Sequence, residues 1–170
     1  AAFLAYEGGI PLEAIHDGII EFKGLPHRIE FVRELDGVSY YNDSKATNTD
    51  AAIKGMETFD RPIILIAGGY DKHIPYEPLG PVINDKVKLL ILLGDTAPKI
   101  EKAVKEASNY DADEIEIVNV TNMEEAVAVA RERSTKGDIV SLSPASASFG
   151  LYKNFEERGN HFKSIVNALK

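Results

Sequence analysis

The sequence contains no cysteine among its 170 residues, which excludes disulfide bonds and thiolate metal sites and is consistent with a reducing compartment. Its longest apolar runs, residues 63–67 and 89–93, are as long as buried strands and far shorter than the roughly 20 residues that a membrane helix requires. The first residues show no basic segment ahead of an apolar one, so we expect no signal peptide. These absences predict a cytoplasmic protein without a membrane segment.

Positive charge is scarce, because 19 lysines and arginines face 27 aspartates and glutamates, for a net charge of -8. A surface of this sign repels nucleic acid and anionic membranes, so we expect neither as a partner. The histidines show no metal-ligand spacing such as H-E-x-x-H, and the sequence therefore predicts no metal site of its own.

Three catalytic signatures are missing. The sequence has no G-x-x-x-x-G-K-[ST] phosphate loop, no G-x-G-x-x-G after a strand and no G-x-S-x-G nucleophile turn. A nucleotide would therefore have to be bound mainly by another domain, and covalent hydrolase chemistry has no support. The length and the hydrophobic content of 44% suffice for one ordinary core, that is, one domain with a small appendage.

The first part of the chain predicts helices followed by a hairpin. Apolar residues recur with helical spacing over residues 3–22, interrupted by two glycines, which predicts two short helices ending near Lys23 and Gly24. The segments RIEFVREL and VSYYN then flank Asp36-Gly37, a pair typical of a tight β-hairpin.

The rest of the chain alternates between strand and helix patterns. Four apolar runs, PIILIAGG, VKLLILLG, EIEIVNV and DIVSLSP, alternate with helical patterns at about 49–58, 97–108, 122–134 and 152–169. Continuous apolar runs are typical of strands that are buried on both faces of a parallel sheet. We therefore predict an α/β fold with a doubly wound, mostly parallel, Rossmann-like sheet, opened by an antiparallel β-hairpin and covered by helices on both faces. Thr121 and Glu124 predict a capping box at one of the helices.

Polar segments follow the predicted strands, where open α/β sheets bind their ligands. They are NDSKATN at 42–48, GGYDKH at 68–73, GDTAPK at 94–99 and SPASASFG at 143–150. Each has two interpretations. NDSKATN offers an acid, an ammonium group and hydroxyls to a polar ligand, or it is a loop in which Asn48 or Thr49 caps a helix. The glycines of GGYDKH and the small residues of SPASASFG suit close approach to a ligand or tight packing. GDTAPK more simply begins a helix.

The order of these motifs is more specific than any one of them. GLPHR, NDSKATN, GGYDK, LSPASASF and KNFEERGNHF follow one another as in the Mur ligases, and within that family they are most similar to the members that add D-glutamate. The resemblance covers residues 24–170, the carboxy-terminal amino-acid-binding domain. Residues 1–23 resemble the last helices of the central ATPase domain, which sets the expected domain boundary.

The resemblance implies a function: an acid–D-amino-acid ligase that joins D-glutamate to UDP-N-acetylmuramoyl-L-alanine through an acyl phosphate, with ATP, in peptidoglycan synthesis. It implies D-glutamate contacts at Thr47, Lys72, Ser148 and Phe155. The residues Tyr70-Asp71 before Lys72 and Phe149 after Ser148 depart from the family pattern, so subsite details there are open.

The resemblance also directs four residues of this domain toward ATP. They are His27, Arg28, Asp43 and Lys45, of which Arg28 and Lys45 are expected to be catalytic because they meet the reacting phosphates. ATP and Mg²⁺ would be bound mainly by the central domain, whose phosphate loop is missing from this sequence. The chain by itself is therefore expected to hold no cofactor and to be inactive.

Two alternatives stay open. One is another amino-acid-adding ligase of the Mur or folylpolyglutamate type, although the DNPR-like tetrad expected of an enzyme that adds meso-diaminopimelate is missing. The other is a non-catalytic doubly wound binding domain. A receiver domain would need an aspartate at the end of a central strand, whereas the predicted strands end in glycine and serine.

Overall fold

The computed structural model of the protein describes residues 1–22 and 24–170. Helices and strands of this part of the chain follow one another as α1 (Ala2–Glu7), α2 (Leu12–Glu21), β1 (Glu30–Leu35), β2 (Val38–Asn42), α3 (Thr49–Glu57), β3 (Ile63–Ala67), α4 (Leu79–Lys86), β4 (Val87–Leu92), α5 (Ala97–Lys105), β5 (Glu116–Asn119), α6 (Met123–Arg133), β6 (Ile139–Leu142) and α7 (Phe155–Ala168). None of the helices described is both long and apolar enough to cross a lipid bilayer.

The two leading helices keep their apolar side chains exposed. No residue of α1 or α2 is buried, and Phe3, Leu12 and Ile19 are each more than half exposed. The predicted pair of helices is confirmed, but α2 ends at Glu21, and Lys23, near which its end was predicted, lies outside the described residues.

The hairpin of β1 and β2 turns at Asp36-Gly37, as predicted. Both residues have positive φ, 53° and 79°, which is the backbone conformation of the two-residue hairpin turn that favours this pair. β1 pairs antiparallel with β2 from Leu35 opposite Val38 onward, with one irregularity near Phe31. The hairpin is therefore determined by local turn chemistry.

The described strands form one six-stranded sheet in the order β1-β2-β6-β3-β4-β5. Each neighbouring pair is parallel except β1 with β2. The predicted α/β fold, a mostly parallel sheet opened by a hairpin, is confirmed.

Helices cover both faces of the sheet. Along β3, Ile63 and Leu65 pack in one apolar core with α3, α4 and α5, whereas Ile64 and Ile66 pack in a second core with α6 and α7. Each of these strand residues is at most 1% exposed, and burial of such a side chain stabilises a fold by about 1.5–3 kcal/mol. Because both faces of the strand pack in an apolar core, its sequence shows no alternation of apolar and polar residues.

Helix α4 was not predicted, because Pro78, Gly80 and Pro81 lie at its start and such residues usually interrupt helices. In the structure Pro78 is the N-cap and Pro81 lies in the first turn, where a backbone N–H has no acceptor within the helix. Gly80 allows α4 to pack closely on α5, since a Cβ at this position would lie 2.2 Å from the backbone oxygen of Ala103.

Asparagine side chains cap three of the helices by accepting a backbone N–H: Asn48 for α3, Asn122 for α6 and Asn154 for α7. The predicted capping box of Thr121 with Glu124 is wrong by one residue. Asn122 is the cap, and the carboxylate of Glu125 accepts the backbone N–H of Thr121 at 2.8 Å. Thr121 and Asn122 each offer a side-chain oxygen that can accept a backbone N–H, and a glutamate follows each by three residues, so local sequence did not distinguish the two registers.

Candidate functional site

Three polar loops lie side by side at one edge of the sheet. NDSKATN follows β2, GGYDKH follows β3, SPASASFG follows β6, and β6 lies between the other two strands. Because these strands are parallel, their carboxyl ends are neighbours. The three segments therefore meet in the structure, although they are up to about a hundred residues apart in sequence.

One small pocket joins the four residues expected to contact D-glutamate. Thr47, Lys72, Ser148 and Phe155 all line a cavity of ≈ 210 Å³. The rest of its lining comes from neighbouring positions on the same loops and on the start of α7: Ala147, Phe149, Asn154 and Glu156. Two hydroxyl groups and one ammonium group thus surround a space suited to a small polar molecule.

Two ammonium groups near this pocket are free to meet an anion. The Nζ atom of Lys72 lies 5.8 Å from the ring centre of Phe149, and that of Lys45 lies 5.7 Å from the ring centre of Phe155. Neither lysine forms an ion pair with a carboxylate in the part of the chain that the structure describes. Glu156 contributes the one carboxylate of the pocket lining. The lining itself therefore contains one cation and one carboxylate, and Lys45 adds a second cation beside Phe155 that can meet a carboxylate of a ligand.

The residues that depart from the family pattern hold the loop of Lys72 in place. Tyr70 packs edge-on against Phe149, with ring centres 5.9 Å apart. Asp71 pairs with Lys99 of α5 at 2.5 Å and accepts the backbone N–H of His73 at 2.8 Å. These contacts determine where the backbone of Lys72 lies and do not block the pocket.

The paired glycines of GGYDKH allow protein loops to touch one another. A Cβ at Gly68 would lie 2.1 Å from the backbone oxygen of Leu93, and one at Gly69 would lie 2.3 Å from that of Ala147. Of the two interpretations of this segment, the structure shows tight packing of backbone on backbone. Gly68 also has φ 107°, a conformation that L side chains rarely adopt.

Arg158 is a central residue of the site that the sequence analysis missed. Its guanidinium group donates to the hydroxyl and backbone oxygens of Ser44 and to the backbone oxygens of Ser146 and Ala147, at 2.9–3.2 Å. It therefore ties the NDSKATN loop to the SPASASFG loop. Its one signal in the sequence is its place in KNFEERG, three residues after Phe155, and no local pattern distinguishes a buried arginine from an exposed one.

Thr96, predicted only as part of a helix start, joins two of the loops. It occupies the N-cap position of α5 without making a side-chain capping bond. Its hydroxyl instead accepts the backbone N–H of Gly69 at 3.0 Å and lies 2.9 Å from the hydroxyl of Ser146, which is itself 2.9 Å from the hydroxyl of Tyr76. This buried network positions the GGYDKH loop against the SPASASFG loop.

His27 is buried beside the start of α7. Its ring lies edge-on to Phe155, and its Nδ1 lies 2.9 Å from the amide nitrogen of Asn42. Burial, together with the nearby charge of Lys163, lowers the pKa of His27, so the neutral ring accepts this hydrogen bond. Gly159 makes the packing possible, since a Cβ there would lie 2.3 Å from Nδ1.

The other three residues expected near ATP differ in exposure. Arg28 and Lys45 are exposed, and the backbone N–H of Lys45 donates to the backbone oxygen of His27 at 2.9 Å. Asp43 is buried, and its carboxylate accepts the backbone N–H of Ile29 at 3.2 Å and the hydroxyl of Ser143 at 2.9 Å. The exposed pair can meet a ligand directly, whereas His27 and Asp43 hold the segment around residue 28 against the sheet.

Burial of Asp43 predicts a pH dependence of stability. Burial raises the pKa of Asp43 from 3.8 to about 6, against the opposing hydrogen bond from Ser143. Between these two pH values the carboxyl group is protonated in the folded chain and ionised in the unfolded chain, so it makes stability fall as pH rises. The loss amounts to roughly 3 kcal/mol and is complete above pH 6. Asp43→Asn, which cannot ionise, is expected to lack this loss.

The measurement is urea unfolding of wild type and Asp43→Asn between pH 4 and 7, compared as a difference so that other titrating groups cancel. We expect the free energy of unfolding of the variant to increase relative to that of the wild type as pH rises from 4 to 6. A difference that stays constant over this range would show that the carboxyl group titrates at its ordinary pKa.

Metal ligands are not clustered in residues 1–22 and 24–170, where no group of three or more histidine, aspartate and glutamate side chains is arranged to hold an ion. The described residues therefore do not form a complete set of protein ligands for a metal ion.

Together, the fold and the pocket define a class: a doubly wound α/β domain with a small polar pocket at the carboxyl edge of its sheet. The sequence profile described as "Mur ligase, glutamate ligase domain" matches residues 27–146. The chain therefore belongs to this family.

Known proteins resemble the chain over nearly its whole length. A UDP-N-acetylmuramoylalanine--D-glutamate ligase of Clostridium botulinum is 50% identical over 169 residues, which are 99% of this chain and 37% of the relative. Among solved structures, the UDP-N-acetylmuramate-alanine ligase of Thermotoga maritima has a TM-score of 0.65 at 11% identity, over 98% of this chain and 36% of that one. The MurF ligase of T. maritima in complex with ADP has a TM-score of 0.62 at 18% identity, over 96% and 36%. The chain thus spans little more than a third of the length of these relatives.

Proposed function

We propose that the chain is the amino-acid-binding domain of a cytoplasmic, ATP-dependent ligase that adds D-glutamate to UDP-N-acetylmuramoyl-L-alanine in peptidoglycan synthesis. The observation that carries the proposal is the convergence of Thr47, Lys72, Ser148 and Phe155 on one small pocket with an unpaired ammonium group. The name of the C. botulinum relative, half of whose aligned residues are identical, supports the same substrate.

The reaction has two steps. A carboxylate oxygen of the L-alanine group attacks the terminal phosphorus of ATP, which forms an acyl phosphate and releases ADP. The unprotonated amine of D-glutamate then attacks the acyl carbon, an amide bond forms, inorganic phosphate leaves, and the amine loses one proton to a base or to water. The pocket of this chain would hold D-glutamate for the second step.

D-glutamate has two carboxylates, and the pocket offers cationic and hydroxyl groups for both. Lys72 supplies a point charge for one carboxylate, and the hydroxyl groups of Thr47 and Ser148 donate hydrogen bonds. Phe155 is expected to contribute mainly through its backbone and by packing near the carboxylates of the ligand. Because hydrogen bonds from Arg158 and Thr96 hold the loops in place, the side chains that line the pocket need little rearrangement when the ligand binds.

Arg28 and Lys45 are proposed to meet the phosphates of ATP when a neighbouring domain closes on this edge. Both are exposed, the backbone of Lys45 is bonded to that of His27 beside Arg28, and a cation delivered by domain closure stabilises charge that develops during phosphoryl transfer. For His27 and Asp43, also expected near the nucleotide, the buried contacts support an indirect part: they hold the segment of Arg28 in position.

ATP and Mg²⁺ are proposed to bind mainly to a central domain, since this sequence has no phosphate loop and the described residues have no metal cluster. The exposed apolar side chains of α1 and α2 support the assignment of residues 1–23 to that domain and of residues 24–170 to the amino-acid-binding domain. The 170-residue chain alone is accordingly expected to be inactive.

The test is a phosphate-release assay with the full-length protein that contains this chain. We expect phosphate release to require ATP, UDP-N-acetylmuramoyl-L-alanine and D-glutamate together, and the 170-residue chain to release none. Equal or better use of another amino acid, such as L-lysine or meso-diaminopimelate, would instead indicate another amino-acid-adding ligase. Ligand binding without any turnover would indicate a binding domain.

A further inference from the structure

Arg158 is a buried cation without a counter-charge. Its side chain is 3% exposed, and its five hydrogen bonds all end on neutral oxygen atoms. No carboxylate of residues 1–22 and 24–170 lies within ion-pair distance of it. Burial lowers the pKa of Arg158 to about 10, which leaves the group charged at neutral pH. An unpaired buried charge disfavours folding, so its presence needs a physical reason.

Hydrogen bonds connect Arg158 to residues that line the pocket. Its Nη1 atom donates to the backbone oxygen of Ala147, which lines the pocket next to Ser148. Its Nε atom donates to the hydroxyl of Ser44, and that hydroxyl donates in turn to the backbone oxygen of Phe155 at 2.8 Å. The pocket therefore has one buried cation bonded to the backbone behind its lining and one exposed ammonium group, that of Lys72, in the lining itself.

We propose that Arg158 is a positioning residue that makes the pocket selective for a dicarboxylic amino acid, because it holds the two loops together and adds a second positive charge beneath them. The inference rests on the proposed function, which makes D-glutamate the ligand. A ligand with two carboxylates supplies negative charge for both cations, whereas an amino acid with a neutral side chain supplies it for only one. Because Arg158 is buried, its field is screened less by salt than that of Lys72.

The experiment compares Arg158→Met and Arg158→Lys in the full-length enzyme. We expect Arg158→Met to raise the KM for D-glutamate by about tenfold or more, the effect of one unit charge acting over a short distance in protein. The KM for ATP should stay unchanged. Arg158→Lys, which keeps the charge, should restore most of the affinity for D-glutamate.

Arg33→Met is the matched control. Arg33, like Arg158, donates to backbone oxygens, here those of Val166, Asn167 and Leu169 at the opposite end of α7. Its removal eliminates the same kind of hydrogen bond away from the pocket. It should therefore lower thermal stability without a selective change in the KM for D-glutamate.

Equal rises in the KM for D-glutamate and for ATP, or a lysine variant as impaired as the methionine variant, would overturn the proposal. If Arg158→Met does not fold, Arg158→Lys alone tests the proposed role of the charge. A KM for D-glutamate near the wild-type value would support that role, and a rise of about tenfold would contradict it. If the unmodified enzyme does not consume D-glutamate, the proposed function fails. Binding of glutarate to the same variants then tests the buried charge separately.

Discussion

Lys72→Ala in the full-length enzyme is expected to lower kcat/KM for D-glutamate by about 100-fold while the KM for ATP stays unchanged, because the variant loses a charged hydrogen-bond donor from the pocket. Lys72 forms no ion pair with the described residues, so its removal leaves no unpaired partner within the domain. The measurement is the initial rate of phosphate release over a range of D-glutamate and ATP concentrations.

Lys136→Ala serves as the control for Lys72→Ala. Lys136 is also an exposed lysine, but it packs beside Gly37 at the hairpin turn, away from the pocket. Its removal changes the net charge equally and should leave both KM values unchanged. If Lys72→Ala behaves like this control, Lys72 does not bind D-glutamate.

Gly68→Ala is expected to destabilise the chain by about 3–5 kcal/mol, the combined effect of backbone strain and steric overlap. The added methyl group would lie 2.1 Å from the backbone oxygen of Leu93, and neither backbone segment can move without disturbing the sheet edge. The unfolding midpoint should fall by on the order of 10 °C. Thermal and urea unfolding of the 170-residue chain measure the effect.

Gly137→Ala separates the effect of backbone strain from that of steric overlap. Gly137 has φ 102°, close to the 107° of Gly68, yet a Cβ there would meet nothing within 4 Å. It should therefore show the backbone strain alone, about 1–2 kcal/mol. Equal losses in the two variants would mean that the contact with Leu93 relaxes freely.

Much of the fold could be predicted from local sequence. Asp36-Gly37 determines the hairpin because few other pairs adopt positive φ at both positions, and the continuous apolar runs indicate strands covered on both faces. Helix α4 was missed for a local reason as well, since proline and glycine near Leu79 oppose a helix unless they fall in its first turn.

The candidate site was predicted only in part. The order of the motifs indicated which residues belong together, and the structure places Thr47, Lys72, Ser148 and Phe155 around one pocket. Their roles stay predictions that the enzyme assays test. The sequence could not show which of the positions expected to contact ATP are exposed enough to reach it, since no local sequence pattern indicates which side chains are buried.

The sequence by itself indicated which strands are buried on both faces, where the hairpin turns and to which family the chain belongs, and it showed that this chain has no phosphate loop. Each of these depends on residues close together in the chain or on the order of its motifs. Only the tertiary structure decided that Asp43 and His27 are buried, that Thr96 links two loops, and that Arg158 is a buried, unpaired charge bonded to the backbone of the pocket loops. Burial and hydrogen-bond partners depend on segments that are far apart in the chain, such as Arg158 and Ser44 at a separation of 114 residues, and these meet only when the sheet assembles.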